Sequence, residues 1–171
     1  LFARLLLRLL ALMLQRLLRA PRVARLAHHA DQPVVDQLDA RLAAAWEHRA
    51  GELPVKSPYE ALILASIVEK ETGRAADRPL IASVFVNRLR RGMRLQTDPT
   101  VIYGMGSAFD GDLRRRDLEA DTAYNTYTRD GLPPTPIALP SQASLDAVLH
   151  PPATSYLYFV ARGDGTSPFS A

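Results

Sequence analysis

Two stretches near the start of the chain have the spacing and punctuation of α-helices. Residues 34–50 carry apolar side chains three and four positions apart, as one buried face of a helix requires. Residues 58–72 follow a short loop and begin with a clear start signal. Ser57 can cap the helix, Pro58 suits its first turn, and Glu60 completes a capping box. We therefore predict a helix in each stretch.

Three further helices are predicted downstream. The first begins near residue 77, with a proline in its first turn, and ends before Gly92. A short helix over residues 98–104 follows, in which we expect Asp98 to act as the cap before a proline. The third covers residues 141–150 and is closed by two prolines.

The segment between the last two helices is rich in turn-forming residues. Residues 104–140 contain many Gly, Pro, Asp and Asn residues, which predicts a long ordered loop or a set of turns. Residues 156–161 are aromatic and β-branched and form the best strand candidate. The predicted fold is α+β, a helix-rich single domain with a small sheet.

The N-terminal residues differ in composition from the rest. Residues 1–20 are rich in leucine, but their longest uncharged stretch is far shorter than the ~20 residues of a membrane-spanning helix. Their arginines gather on one side of a helical wheel, which predicts an amphipathic helix. Two hypotheses remain open: residues 1–25 contact an anionic membrane surface, or the helix packs against another part of a longer protein. We divide the chain into this segment with its linker, residues 1–33, and a folded domain, residues 34–171.

Charge and composition exclude several classes of function. The net charge is +3, but the first 25 residues hold six arginines and no acid, which leaves 15 basic and 18 acidic side chains in the rest. A mildly acidic body argues against nucleic acid as a partner, because that function needs a basic stripe on the folded part. The chain has no cysteine, and its four histidines lack metal-ligand spacing, so we predict no metal site.

One helix carries a candidate for chemistry, because its apolar run ends in acidic residues. On a helical wheel Glu60 and Glu71 lie beside large aliphatic residues, whereas Glu69 lies beside Ala65 and Ser66. Small neighbours leave room for a ligand, so we expect Glu69 to face a cleft. Partial burial would raise its pKa and let it donate a proton near neutral pH. An alternative stays open, in which Glu69 forms a structural ion pair with an arginine.

Six strings of residues carry a family resemblance. They are residues 67–72 (IVEKET), 83–89 (SVFVNRL), 92–104 (GMRLQTDPTVIYG), 124–127 (YNTY), 131–134 (GLPP) and 156–160 (YLYFV). Together they resemble the endolytic murein transglycosylase family, also called MltG or YceG-like. The strings are long and keep the family's order, and the resemblance extends over roughly residues 34–170. Chance agreement does not explain it.

The resemblance implies an activity and a catalytic residue. It implies a lysozyme-like cleft in which peptidoglycan glycan strands are cut between N-acetylmuramic acid and N-acetylglucosamine, leaving a 1,6-anhydromuramyl end. It also implies that Glu69 is the catalytic glutamate, first acid and then base. Ordinary glycosidases use two carboxyl groups. Here the nucleophile is the muramyl 6-hydroxyl of the substrate, so one carboxyl can suffice, and no metal or cofactor is required.

Four polar residues in these strings are candidates for substrate binding: Gln96, Tyr124, Asn125 and Tyr127. A glycan needs hydrogen bonds to its hydroxyl and acetamido groups and flat surfaces against its rings, and these side chains supply both. Structural roles remain open for each. Asn125 could fix a turn, Gln96 could bond the backbone, and the tyrosines could be packing residues.

The resemblance also implies a setting for the protein. The family works at the periplasmic, outer face of the bacterial inner membrane, which suggests wall-synthesis proteins as partners. It has a spanning segment and a further domain ahead of the catalytic part, and a histidine where this chain has Ser167. We therefore expect a catalytic domain truncated at both ends. Two alternatives remain: a hydrolytic muramidase acting on the same glycan, or an inactive fragment that binds the wall or a partner.

Overall fold

A computed structural model describes residues 32–160 and 168–171, with side chains described from residue 39 onward. It divides into two compact units, residues 1–47 and 48–171. The described part of the first unit is helix α1, Gln32–Glu47, which confirms the helix predicted over residues 34–50. The predicted amphipathic helix over residues 1–20 lies outside the described residues. Within the described part of the chain, no helix has the length and apolar character needed to cross a membrane.

The second unit is helix-rich with a small sheet, as predicted. Its described helices, in chain order, are α2 (Pro58–Glu71), α3 (Arg78–Arg90), α4 (Asp98–Met105), α5 (Arg115–Glu119) and α6 (Gln142–Leu149). A single 3-10 turn, Gly106–Ala108, follows α4. Strand β1 (Tyr158–Phe159) pairs antiparallel with β2 (Phe169–Ser170). The five predicted helices are confirmed to within a few residues at each end. Helix α5 and strand β2 were not predicted.

Three helices, α2, α3 and α6, pack on one another to form the core of this unit. The run from Ile63 to Val68 in α2 is entirely buried, which explains why this helix is apolar on almost every side. Helix α3 contributes Ile81 and Phe85, and α6 contributes Leu149. Burial of such side chains stabilises the fold by about 1.5–3 kcal/mol each. The packing brings the C-terminal end of α2 to the N-terminal end of α6.

The helix caps differ in detail from those predicted. Ser57 accepts a hydrogen bond from Glu60 N at 3.2 Å, as a capping box requires. The carboxylate of Glu60, however, accepts from Lys56 N at 2.6 Å, one residue earlier than in the standard motif. The cap predicted at Asp98 is wrong, because Asp98 is the first residue of α4 and Thr97 is its N-cap.

Strand β1 is attached to α3 by polar and aromatic contacts. Asn87 Nδ2 donates to Tyr156 O at 3.0 Å, and Arg88 Nε donates to Leu157 O at 2.7 Å. The rings of Phe85 and Phe159 meet edge to face, with centroids 5.8 Å apart. The strand is shorter than predicted, and the last residue of the predicted range, 161, lies outside the described residues.

Candidate functional site

Glu69 lies in the last turn of α2 and faces the beginning of α6. Its side chain is 23% exposed. One carboxylate oxygen, Oε2, accepts hydrogen bonds from Ser141 N at 2.9 Å, from Ser141 Oγ at 2.6 Å and from Ser144 Oγ at 2.6 Å. The other oxygen, Oε1, lies 3.4 Å from Arg78 Nη2 on α3. We call Ser141 and Ser144 the serine cradle.

The serine cradle keeps Glu69 ionised. Hydrogen bonds from Ser141 and then Ser144 lower the pKa of Glu69 from an ordinary value of 4.5 to about 2, and Arg78 adds a smaller effect in the same direction. Partial burial opposes this change but is outweighed. The expected raised pKa is therefore wrong for this state of the protein. The alternative, an ion pair between Glu69 and an arginine, is present in the structure, with Arg78 Nη2 3.4 Å from Oε1.

The space expected beside Ser66 is filled. Ser66 is fully buried, accepts a hydrogen bond from Ile137 N at 2.9 Å and donates one to Ile63 O at 2.7 Å. The small side chain therefore anchors the segment that leads into Ser141, and leaves no room for a ligand at that point. Access to Glu69 must come from its partly exposed end.

Glu71 is the carboxyl group on α2 with a raised pKa. Successive helical residues turn by about 100°, so Glu71 points away from Glu69 by about 200°. It accepts a hydrogen bond from Thr97 Oγ1, and burial raises its pKa, with Asp98 adding to the effect. Glu71 therefore belongs to a different, more buried environment than Glu69.

We expect Glu71→Gln to become more stable relative to the parent chain as pH rises above about 4.5. An ordinary carboxyl in the unfolded chain ionises near 4.5, whereas the folded chain holds the Glu71 proton to higher pH because its pKa is raised. Unfolding therefore releases a proton in that range, and the parent's free energy of unfolding falls with pH. Glutamine imitates the protonated form and removes this loss. Urea denaturation of both proteins between pH 4 and 8 measures it, and a difference that shrinks with pH would contradict the expectation.

Gln96 and Asn125 occupy very different environments. Gln96 has an exposed side chain and a positive φ of 50°, which is rare outside glycine. Asn125 is fully buried. Its Nδ2 donates to Leu118 O at 2.9 Å and to Ala120 O at 2.7 Å, while its Oδ1 accepts from Tyr127 N. Of the two roles left open for Asn125, these bonds support the turn.

The two tyrosines are partly buried. The hydroxyl of Tyr124 lies 2.8 Å from Thr135 Oγ1, and its ring packs on Tyr103 at a centroid distance of 4.9 Å. Tyr127 donates its hydroxyl to Asp98 Oδ1 at 2.5 Å. Thr126 joins this segment to the start of α4, because its hydroxyl accepts from Thr97 N at 3.1 Å and its carbonyl accepts from Gln96 N, one residue earlier, at 3.1 Å.

The four predicted binding residues and Glu69 have different hydrogen-bond partners. Within the part of the chain that the structure describes, none of the four hydrogen-bonds its carboxylate. The residues that do, Ser141 and Ser144, were not singled out in the sequence. Ser141 is recognisable there only as the start of a helix, and nothing local to it points to a partner 72 positions earlier.

Comparisons with known proteins agree with the resemblance. The model of the YceG-like family matches residues 24–171. The chain is 49% identical over 114 residues to the endolytic murein transglycosylase of Bacillus subtilis (strain 168), covering 67% of this chain and 31% of that protein. It is 39% identical over 106 residues to the protein of the same name from Streptococcus pneumoniae serotype 2 (strain D39), covering 60% of this chain and 19% of that one.

A solved structure agrees as well. The crystal structure of a yceG-like protein from Listeria monocytogenes superimposes with a TM-score of 0.73 at 38% identity, over 86% of this chain and 46% of that chain. The chain thus spans less than a third of the two named relatives and about half of the solved one. The family model nevertheless matches residues 24–171, which are most of this chain. The chain belongs to the YceG-like family.

Proposed function

We propose that the chain carries the catalytic part of an endolytic murein transglycosylase. The observation that carries the proposal is its 49% identity over 114 residues to the Bacillus subtilis protein of that name. The substrate would be the peptidoglycan glycan strand, cut between N-acetylmuramic acid and N-acetylglucosamine to leave a 1,6-anhydromuramyl end. As the family resemblance implies, the activity would lie at the periplasmic face of the inner membrane, beside wall-synthesis proteins.

Among the acidic residues of α2, Glu69 fits the role of acid and base best. Glu60 closes the start of the helix by accepting from Lys56 N. Glu71 is part-buried, and its carboxylate already accepts a hydrogen bond from Thr97 Oγ1. Glu69 is 23% exposed, and the contact that the described structure gives its oxygen Oε1 is a long one. A glycosidic oxygen can approach that atom.

The reaction needs Glu69 to gain a proton before the bond breaks. Because the pKa of Glu69 is lowered to about 2, the free protein holds this group as the carboxylate at pH 7. A bound sugar displaces water from the carboxyl group. This change favours the neutral acid. Substrate binding therefore supplies the raised pKa that the free protein lacks.

The proposed reaction consumes no water molecule. Glu69 gives its proton to the glycosidic oxygen as the bond to the muramyl anomeric carbon breaks. The resulting carboxylate takes the proton of the muramyl 6-hydroxyl while that oxygen bonds to the anomeric carbon. Glu69 is thereby restored to its protonated form, and the leaving sugar carries a new hydroxyl.

The proposed glycan contacts come from the exposed and half-buried polar residues Gln96, Tyr124 and Tyr127. The strained backbone at Gln96 supports its place in this set, because sparsely populated conformations cluster at functional sites. Asn125 contributes indirectly by holding the turn that presents the two tyrosines. Membrane contact through residues 1–25 stays a prediction, since they lie outside the described residues.

Mass analysis of digested glycan strands tests the proposed reaction. A transglycosylase gives products with anhydromuramyl ends, which are one water lighter than the reducing products of a muramidase. We expect the lighter products from this chain. Products with reducing ends would establish the hydrolase instead. Retention on insoluble peptidoglycan without any released product would establish the binding fragment.

A further inference from the structure

We propose that Ser141 and Ser144 are positioning residues for the reaction, holding Oε2 of Glu69 so that Oε1 is the atom that exchanges the proton with the glycan. The proposal rests on the function proposed above and adds which residues orient the acid and which oxygen acts. It follows from the unequal surroundings of the two carboxylate oxygens.

The serine cradle saturates Oε2. Three donors lie within 2.9 Å of it, two of them at 2.6 Å. A carboxylate oxygen offers about two lone pairs, so a sugar has no free site there. Oε1 has the Arg78 contact at 3.4 Å, near the outer limit of a hydrogen bond. The geometry therefore leaves Oε1 as the reactive atom.

The cradle is rigid because both serines belong to the start of α6. Ser141 is the N-cap of that helix, and Ser144 is fully buried within it. The N-terminal end of a helix also favours a nearby negative charge. Since α6 packs on both α2 and α3, the donors are fixed relative to Glu69 before substrate arrives.

A further hydrogen bond fixes the segment that precedes the serine cradle. The buried bond from Ile137 N to Ser66 Oγ, 2.9 Å long, ties the segment before Ser141 to the middle of α2. The segment is thus fixed to the same helix that carries Glu69. Ser141 and Glu69 are therefore held in place relative to each other by the same helix, α2.

Among the described residues, Arg78 is the charged group that acts on Glu69, so a change in the titration of the Glu69 carboxyl group can be assigned to its hydrogen bonds. Arg78 faces it from α3. On α6, the acidic residue Asp146 accepts a hydrogen bond from Gln142 Nε2 at 2.8 Å. The group of α6 that contacts Glu69 is the neutral hydroxyl of Ser144. Glu71, on the same helix as Glu69, is turned toward Thr97. Removal of the Ser144 hydroxyl therefore changes chiefly the hydrogen bonds of Glu69, whereas removal of the Ser141 hydroxyl also removes the cap bond from Ser144 N, 3.3 Å long.

The test is a carbon-13 NMR titration of the Glu69 carboxyl group in Ser144→Ala and Ser141→Ala. We expect its pKa to rise from about 2 toward 4.5, by about one pH unit or more for each lost donor. Ser141→Thr keeps the hydroxyl and should keep the low pKa. Ser83→Ala is the matched control, because Ser83 is equally buried but bonds Leu80 O and Thr154. It should leave the titration unchanged.

Activity measured on the same variants completes the test. We expect Ser144→Ala to lower kcat by about tenfold to a hundredfold through misplacement of the acid. The descending limb of kcat/KM against pH should move to higher pH, because that limb reports the acid of the free protein. A purely structural role of the serines would not move it. Ser141 is exposed, so its alanine variant is expected to fold even if the Ser144 variant does not.

The outcomes separate the two proposals. An unmoved Glu69 titration in both alanine variants overturns the positioning role and leaves the proposed function standing. A moved titration with unchanged kcat and an unchanged pH profile also overturns it. Full product formation by Glu69→Gln instead overturns the acid and base role of Glu69, and the positioning role falls with it.

Discussion

Replacing Glu69 with glutamine is expected to reduce the yield of anhydromuramyl products by about 10²- to 10⁴-fold, the range for losing a general acid. Glutamine keeps the size of the side chain, and its amide oxygen can still accept from Ser141 and Ser144. It cannot give or take the proton. The fold should therefore survive, and circular dichroism and thermal unfolding at pH 7 check this before product yields are compared.

Glu71→Gln is the matched control for this experiment. It makes the same change two residues along the same helix, in a part-buried side chain that bonds Thr97. We expect product yield close to that of the parent chain. Comparing the two variants also tests whether Glu71, rather than Glu69, is the acid. Glu71 has the raised pKa that a resting acid would need, so loss of activity in Glu71→Gln with retention in Glu69→Gln would transfer the role to Glu71.

The two carboxyl groups show how local surroundings decide protonation on one helix. Glu69 is partly exposed and receives three hydrogen bonds on one oxygen, which stabilise the charge. Glu71 is more buried, and a single hydrogen bond from Thr97 does not offset the cost of burying its charge. The number of donors, rather than burial alone, separates the two.

The helices of the core could be predicted because their signals are local. The apolar run from Ile63 to Val68 and the start signal at Ser57 lie within the helix they define. The same holds for the start of α6 at Ser141. Strand β2 could not be predicted, since its two described residues gain their structure from pairing with β1. Helix α5 is only five residues long and lies in a segment rich in turn residues.

Of the candidate site, the sequence pointed to Glu69 but not to the residues that bond it. Wheel geometry and the family strings both point to Glu69, because both depend on residues close to it in the chain. The serine cradle depends on tertiary packing that joins positions 72 and 75 residues apart. The error in the expected pKa has the same origin, since it considered the burial provided by α2 and could not include donors from α6.

Replacing Arg88 with methionine is expected to lower the free energy of unfolding by about 1–3 kcal/mol, the range for leaving a buried hydrogen-bonding group unsatisfied. Arg88 is 8% exposed. Its Nε donates to Leu157 O at 2.7 Å, and its Nη1 donates to Leu95 O at the same distance. Methionine fills the space but leaves both buried carbonyl groups without these donors, which is costly away from water.

Arg88→Lys separates the effect of shape from that of charge. Lysine keeps the positive charge near the ring of Tyr158, which lies 5.1 Å from the guanidinium carbon. It cannot reproduce the planar fork that reaches two carbonyl groups on different segments. We therefore expect a stability between those of the parent and Arg88→Met in urea denaturation. Equal stability of all three proteins would show that the fork does not hold β1 and the segment before Gln96 to α3. Leu95, which Arg88 bonds, directly precedes Gln96. A destabilised Arg88 variant should therefore also weaken the hydrogen bond from Gln96 N to Thr126 O. Faster amide hydrogen exchange at Gln96 would show this.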